Sequence, residues 1–188
     1  VQVDEPSLPA VLAGRIGTAS GLSSFRAVDV QVAERELGRV FAAADDAGAI
    51  AGVHCCASDA PVDLLRAAGA QLVSLDFTRL EDDPIHDDAL GRAWESGMGI
   101  LAGCIPPMSN EAIGDARASA PLRNVLHRIG FDDPVWLEQV AITPACGLAG
   151  ASPSWAIAAL RACAAVGRVV KNEDREDEEP EDRRKGRR

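Results

Sequence analysis

The sequence predicts an α/β protein of the (β/α)8-barrel type. Apolar segments typical of strands alternate with amphipathic segments typical of helices, about five times along residues 1–170. Strict alternation of this kind favours parallel strands that are joined by helical crossovers. A doubly wound sheet and a β/α barrel both meet this requirement. No G-x-G-x-x-G motif follows the first strand, which removes the best support for a dinucleotide-binding sheet.

The predicted strands favour the barrel because nearly every one ends near a reactive or polar side chain. The first strand is Val1–Asp4, and the pattern breaks after it at Glu5-Pro6. The later strands are Ile50–Cys55, Leu72–Asp76, Met98–Gly103 and a segment within Val135–Thr143. In a β/α barrel the active site lies at the carboxyl ends of the strands, so side chains that are distant in the sequence meet there.

The predicted helices follow the strands in turn. The first, Val30–Ala47, can place Leu37 and Phe41 on one face, and Gly48 ends it as a C-terminal glycine. Ser152 is a candidate N-cap of the last helix. The later helices are Pro61–Ala68, Ile85–Ser96, one helix or two separated at Pro121 within Asn110–Ile129, and Pro153–Val166.

The composition argues against several classes of protein. The length of 188 residues fits one domain, which we expect to be residues 1–170. The formal net charge of −10 argues against a nucleic acid or an anionic membrane as partner. No signal peptide and no apolar run of membrane-spanning length is visible. The five cysteines, an odd number with one adjacent pair, argue against a disulfide framework and favour a reducing cytoplasm.

The two ends of the chain carry two further expectations. Residues 171–188 contain no apolar side chain and many charged ones, so we predict a disordered, charged tail. The chain begins at Val1 rather than at Met, and its first residues already have the pattern of a strand. We therefore expect a fragment of a longer protein or a truncated short form.

His54, Cys56 and Cys146 form the candidate metal site. Residues two apart at a strand end project to the same side, so His54 and Cys56 can bind one ion while Cys55 points into the packing. Cys146 follows the last predicted strand, and Gly147 permits a sharp turn that could aim it inward. An imidazole and two thiolates favour zinc over magnesium or calcium.

The other candidates are interpreted mainly as packing residues. A lone cysteine is commonly a small core hydrophobe, which is our interpretation of Cys104 and Cys163. His86 and His127 lie in helical surroundings, where we expect a surface or packing role. Asp76, at the end of the third strand, could be a fourth metal ligand that the substrate displaces.

Four segments resemble the C-terminal catalytic barrel of cobalamin-independent methionine synthase, in the order of that family. They are Gln2–Pro6, His54–Cys56, Leu75–Arg79 and Pro144–Leu148. The resemblance covers the body of the chain and implies a (β/α)8 barrel, of which this chain supplies about the last five βα units. It also implies zinc as the cofactor, homocysteine as the thiol substrate, and a folate or another methyl donor.

The same resemblance implies four zinc ligands and two substrate-binding residues. Carried over residue by residue, the ligands are His54, Cys56, Asp76 and Cys146. The family's aspartate before Glu-Pro, which helps to hold the amino-acid part of homocysteine, falls on Asp4, a catalytic and substrate-binding residue, with Glu5 beside it. The family has glutamate where this chain has Asp76. The resemblance also implies that the sequence starts within the barrel, after the family's first strands and its separate N-terminal barrel, and it leaves the methyl donor open.

The leading functional hypothesis is a zinc-dependent methyltransferase that moves a methyl group to a thiol such as homocysteine and forms methionine. A bound cation lowers the pKa of a coordinated thiol, which makes the thiolate available as a nucleophile. Two alternatives stay open. The same zinc barrel could act on another thiol or thioether, or the chain could be an inactive, truncated barrel with an exposed sheet edge.

Overall fold

Five parallel strands form one sheet in the computed structural model, which describes residues 1–109, 111 and 113–177. The strands are β1 (Gln2–Asp4), β2 (Gly52–Cys55), β3 (Leu72–Asp76), β4 (Gly99–Ile105) and β5 (Val140–Pro144). Their order across the sheet is their order in the chain, and every neighbouring pair is parallel. A doubly wound sheet reverses its strand order at a switch point, and these five strands show no reversal. The predicted barrel type is therefore confirmed, in the form of five consecutive strands of a barrel wall.

Helices lie between successive strands, as strict βα alternation requires. They are α1 (Leu8–Leu12), α2 (Val30–Asp46), α3 (Val62–Ala67), α4 (Pro84–Glu95), α5 (Asp115–Ile129) and α6 (Pro153–Asp177). A 3₁₀ helix, Pro134–Gln139, occupies the first part of the segment in which the last strand was predicted. No helix in the described part of the chain combines the length and the apolar character that crossing a membrane requires.

The predicted helix ends are confirmed where local chemistry fixes them. Gly48 follows α2 with φ +71°, a left-handed conformation that glycine adopts without strain. At the start of α6, the Ser152 hydroxyl accepts a hydrogen bond from the Trp155 backbone N–H at 3.2 Å, so Ser152 is the N-cap. Between the two alternatives for α5, the structure has one continuous helix that includes Pro121. The neighbour Leu122 is fully buried in the core.

Two segments differ from the prediction. The short helix α1 was not predicted, because the five residues it spans are too few to show a helical period. Helix α6 continues through Asp177, past the predicted domain end at residue 170. The first part of the segment predicted as a disordered tail is therefore helical and continues α6 from the body of the chain. Residues 178–188 of that predicted tail lie outside the described residues.

Alternation along the strands divides the sheet into two faces. Val53, Val73 and Ile100 are paired in register, are at most 1% exposed and belong to one apolar cluster with residues of the helices. The neighbouring residues His54 and Ser74 are also paired in register, and by strand geometry they project to the opposite face. The helix-covered face thus holds the core, and the other face is available for chemistry.

Candidate metal centre

Three metal-binding side chains meet at the carboxyl edge of the sheet. His54 lies in β2, Cys56 directly follows β2, and Cys146 follows β5, some ninety residues later. One ligand atom from each of the three lies within 4.8 Å of those of the other two. They are the three residues that the sequence placed together, and within the described ranges no other group of three or more His, Cys, Asp and Glu side chains meets this geometry.

His54 has one ring nitrogen bonded and the other without a partner. The residue is buried, and its Nδ1 lies 2.9 Å from the Ser74 hydroxyl. Its Nε2 is also shielded from solvent and has no hydrogen-bond partner. A buried polar atom without a partner is uncommon and costly in native structures. A metal ion between the imidazole and the two thiols would satisfy it.

The two thiols differ in exposure and lie against each other. Cys56 is half-buried, Cys146 is exposed, and their side chains are in hydrogen-bond contact. Burial raises the pKa of Cys56, and the adjacent Cys146 thiol and the Asp76 carboxylate raise it further. A divalent cation reverses this effect, because it favours the thiolate. One nitrogen and two sulfur donors match the ligands of zinc, with a fourth position left open.

Cys55 lies on the opposite side of β2, as its place between His54 and Cys56 predicts. It is fully buried in the core, and burial raises the pKa of its thiol. Cys104 and Cys163 are likewise buried, and burial raises the pKa of Cys104 to about 12. These three thiols are core residues in the structure, which agrees with the packing role expected for them.

Asp76 lies at the same edge of the sheet but outside the group of three. Its Oδ1 accepts hydrogen bonds from the Thr78 backbone N–H at 3.0 Å and from the Thr78 hydroxyl at 2.5 Å. This arrangement is an Asx turn that ends β3. The carboxylate still acts on the site, because its charge raises the pKa of Cys56.

Asp4 and Glu5 extend the site along β1. Asp4 is paired in register with His54 and therefore projects to the same face. The side chain of Asp4 is exposed, and its Oδ1 accepts a hydrogen bond from the Gln2 side-chain amide at 2.7 Å. The backbone N–H of Glu5 donates to the His54 carbonyl at 2.8 Å, so the end of β1 is held to the backbone of β2 at His54.

The loop that carries Cys146 is positioned by Gly103 of β4. The pairing of β4 with β5 shifts between Gly103 and Ile105, and the Ala145 N–H donates to the Ile105 carbonyl at 2.8 Å. A Cβ atom at position 103 would lie 2.5 Å from the Leu75 carbonyl oxygen and 2.7 Å from the Ala145 Cα. Only glycine permits this approach of the loop to the sheet.

The role expected for Gly147 is wrong in its physical reason. Its φ is not positive, and a Cβ atom there would meet nothing within 4 Å, so the turn after Cys146 does not require glycine. The requirement lies instead at Gly103, on another strand. The sequence reasoning missed Gly103 and Ser74, although strand alternation alone places Ser74 on the face of Asp76.

The other two histidines are not part of the metal-binding group. His86 is buried on α4, and its two ring nitrogens are shielded and without hydrogen-bond partners. His127 is exposed in the last turn of α5. Neither belongs to the metal-binding group, in line with the packing and surface roles expected for them.

Comparison with known proteins gives a family. A search of curated protein sequences finds no match to this chain. The sequence model of one family, described as the catalytic domain of cobalamin-independent synthase, matches residues 1–168. The match includes all five strands and all the site residues described above. The chain therefore belongs to the family of cobalamin-independent synthase catalytic domains, whose members are methyltransferase-type enzymes.

Proposed function

We propose that this chain is the catalytic part of a zinc-dependent methyltransferase that moves a methyl group to the thiol of homocysteine and forms methionine. The observation that supports this most is that His54 has a buried, unpartnered Nε2 and is grouped with two thiols at the strand ends. Homocysteine is the general substrate of the family to which the chain belongs. The five free cysteines would suit the reducing cytoplasm, which we propose as its compartment.

We assign the metal ligands to the three grouped side chains. His54, Cys56 and Cys146 would hold zinc and leave one position for the substrate sulfur. Zinc at this position supplies the Lewis acidity that lowers the pKa of a coordinated thiol. We further assign Asp76 as a weaker fourth ligand. Its carboxylate is near enough to influence Cys56, and the Asx turn with Thr78 holds it when the substrate takes its place.

The remaining residues orient the substrate. Asp4 projects to the same face as His54, and its exposed carboxylate would bind the ammonium group of homocysteine. We also propose Glu5 as a substrate-binding residue, because its backbone N–H donates to the His54 carbonyl at the same strand end. With the ammonium group held here and the sulfur at the ligand cluster, the thiolate can attack an activated methyl group in line; the new S–C bond forms as the bond from the methyl carbon to the donor breaks, and the demethylated donor leaves with that electron pair. The same geometry would accept another thiol. Activity assays with different thiol acceptors and methyl donors would identify both substrates.

Zinc analysis of purified protein tests the ligand assignment. We expect about one zinc per chain in the wild type and a strong loss in Cys146→Ser. Cys163→Ala is the matched control, because Cys163 is a buried thiol of α6 outside the ligand group and should keep its zinc. Equal zinc content in the wild type and Cys146→Ser would overturn the site.

X-ray absorption spectroscopy tests the substrate assignment. Adding homocysteine to the zinc-loaded protein should place an additional sulfur in the zinc coordination shell, because the substrate thiol takes the open position. An unchanged spectrum at saturating homocysteine would overturn homocysteine as the acceptor.

A further inference from the structure

We propose that Ser74 is a positioning residue that holds His54 in the tautomer and orientation needed for metal binding through Nε2. The inference rests on the proposed zinc site and adds the residue that prepares its imidazole ligand. Ser74 is absent from the motifs by which the sequence resembles its family, and its side-chain hydroxyl is bonded to the ring of His54.

The contact between Ser74 and His54 is built by the sheet itself. The two residues are paired in register on β2 and β3 and project to the same face. Both side chains are buried, and Nδ1 and Oγ are 2.9 Å apart. The strand pairing fixes the two Cα positions, and the buried hydrogen bond then restricts rotation of the imidazole ring.

The surroundings of the ring decide the direction of this hydrogen bond. If Ser74 donated to Nδ1, the ring proton would be on Nε2, where it would be a buried donor with no acceptor oxygen or nitrogen. If the Ser74 hydroxyl accepts from the Nδ1 proton, Nδ1 is occupied, and Nε2 keeps a free lone pair on an imidazole that is grouped with the two thiols. The second arrangement is the one that a metal-ligating histidine requires, and its hydrogen bond also makes the imidazole a better donor to the metal.

Zinc affinity measured by chelator competition tests the effect on the metal. Ser74→Ala should bind zinc about 10–100-fold more weakly than the wild type, the scale for loss of an outer-shell partner. Ser74→Thr keeps the hydroxyl and should restore most of the affinity. Ser119→Ala removes another buried hydroxyl, on α5 and outside the ligand group, and should bind zinc as the wild type does. Equal affinity of Ser74→Ala and the wild type would overturn the positioning role.

The tautomer of His54 gives a readout that needs no metal. The chain has three histidines, so its imidazole nitrogen NMR spectrum is simple, and the signals of His54 are those absent from His54→Ala. The metal-free wild type should show the proton on Nδ1, and Ser74→Ala should shift the population toward the Nε2 proton. A wild-type ring that carries its proton on Nε2 would overturn the inference.

The two measurements separate this inference from the proposed function. A wild type that binds no zinc would overturn the proposed function, while the tautomer would still report whether Ser74 controls the ring. A wild type that binds zinc with the same affinity as Ser74→Ala would leave the zinc site standing and remove Ser74 from it.

Discussion

A methyl group at position 103 would test how the loop after β5 places Cys146. In Gly103→Ala the new Cβ atom would lie 2.5 Å from the Leu75 carbonyl oxygen and 2.7 Å from the Ala145 Cα. Both are backbone atoms, and neither can rotate away. Ordinary Cβ contacts begin at 3.4 Å. The backbone at position 103 would therefore have to move away from both Leu75 and Ala145 by roughly 0.5–1 Å.

A displacement of that size is large for a metal ligand. Metal–ligand distances tolerate changes of about 0.2 Å, and Cys146 directly follows Ala145. We therefore expect Gly103→Ala to bind zinc at least about tenfold more weakly. Overpacking of this kind also destabilises a protein by about 1–3 kcal/mol, which should lower the free energy of unfolding of the metal-free protein.

The assay is zinc affinity by chelator competition together with urea unfolding of the metal-free, reduced protein. Gly147→Ala is the matched control, because it adds the same methyl group beside Cys146 where nothing lies within 4 Å and φ is not positive. It should keep the wild-type zinc affinity and change the free energy of unfolding by less than about 0.5 kcal/mol. If the two variants behaved alike in both measurements, the role assigned to Gly103 would be refuted.

Three further predictions concern the packing that supports the site. Arg128 and Asp87 join α5 to α4 through two hydrogen bonds of 2.9 and 2.6 Å, so Asp87→Asn should lower the free energy of unfolding by about 1–3 kcal/mol in urea. Burial raises the pKa of Cys104 from 9.0 to about 12. Above pH 9 the unfolded chain releases this thiol proton while the native protein keeps it, so stability should fall as pH rises toward 12. In Cys104→Ala the pH slope of unfolding should be smaller by about one proton, and an identical slope would contradict the burial effect. Ser152→Ala removes the hydrogen bond to the Trp155 N–H and should cost about 1 kcal/mol, measured by thermal or urea unfolding; no change would show that α6 needs no cap.

Much of the candidate site could be predicted because its signals are local. His54 and Cys56 are two apart at the end of an apolar segment, so strand geometry alone places them on one side and Cys55 on the other. The buried position of Cys55 bears out this alternation. Cys146 could be added because parallel strands bring their carboxyl ends to one edge of a sheet, whatever the distance in the sequence.

The part that could not be predicted depends on contacts between strands. Whether Asp76 reaches the ligand group depends on the hydrogen bonds of its carboxylate. In the structure, the backbone N–H and the hydroxyl of Thr78 both donate to its Oδ1. The need for glycine at position 103 arises where Leu75 and Ala145, from two other segments, approach one backbone atom. Such a contact leaves no periodic pattern in the sequence.

By itself, the sequence determined the alternation of strands and helices, the parallel sheet that follows from it, and the residue types available at the strand ends. These depend on hydrophobic periodicity and on residue chemistry, both of which are properties of short segments. The tertiary structure decided the strand order, the register that pairs His54 with Ser74, and the close approach that brings Cys146 to Cys56. Register and close packing arise from the fit of several distant segments at once, and no single segment carries that information.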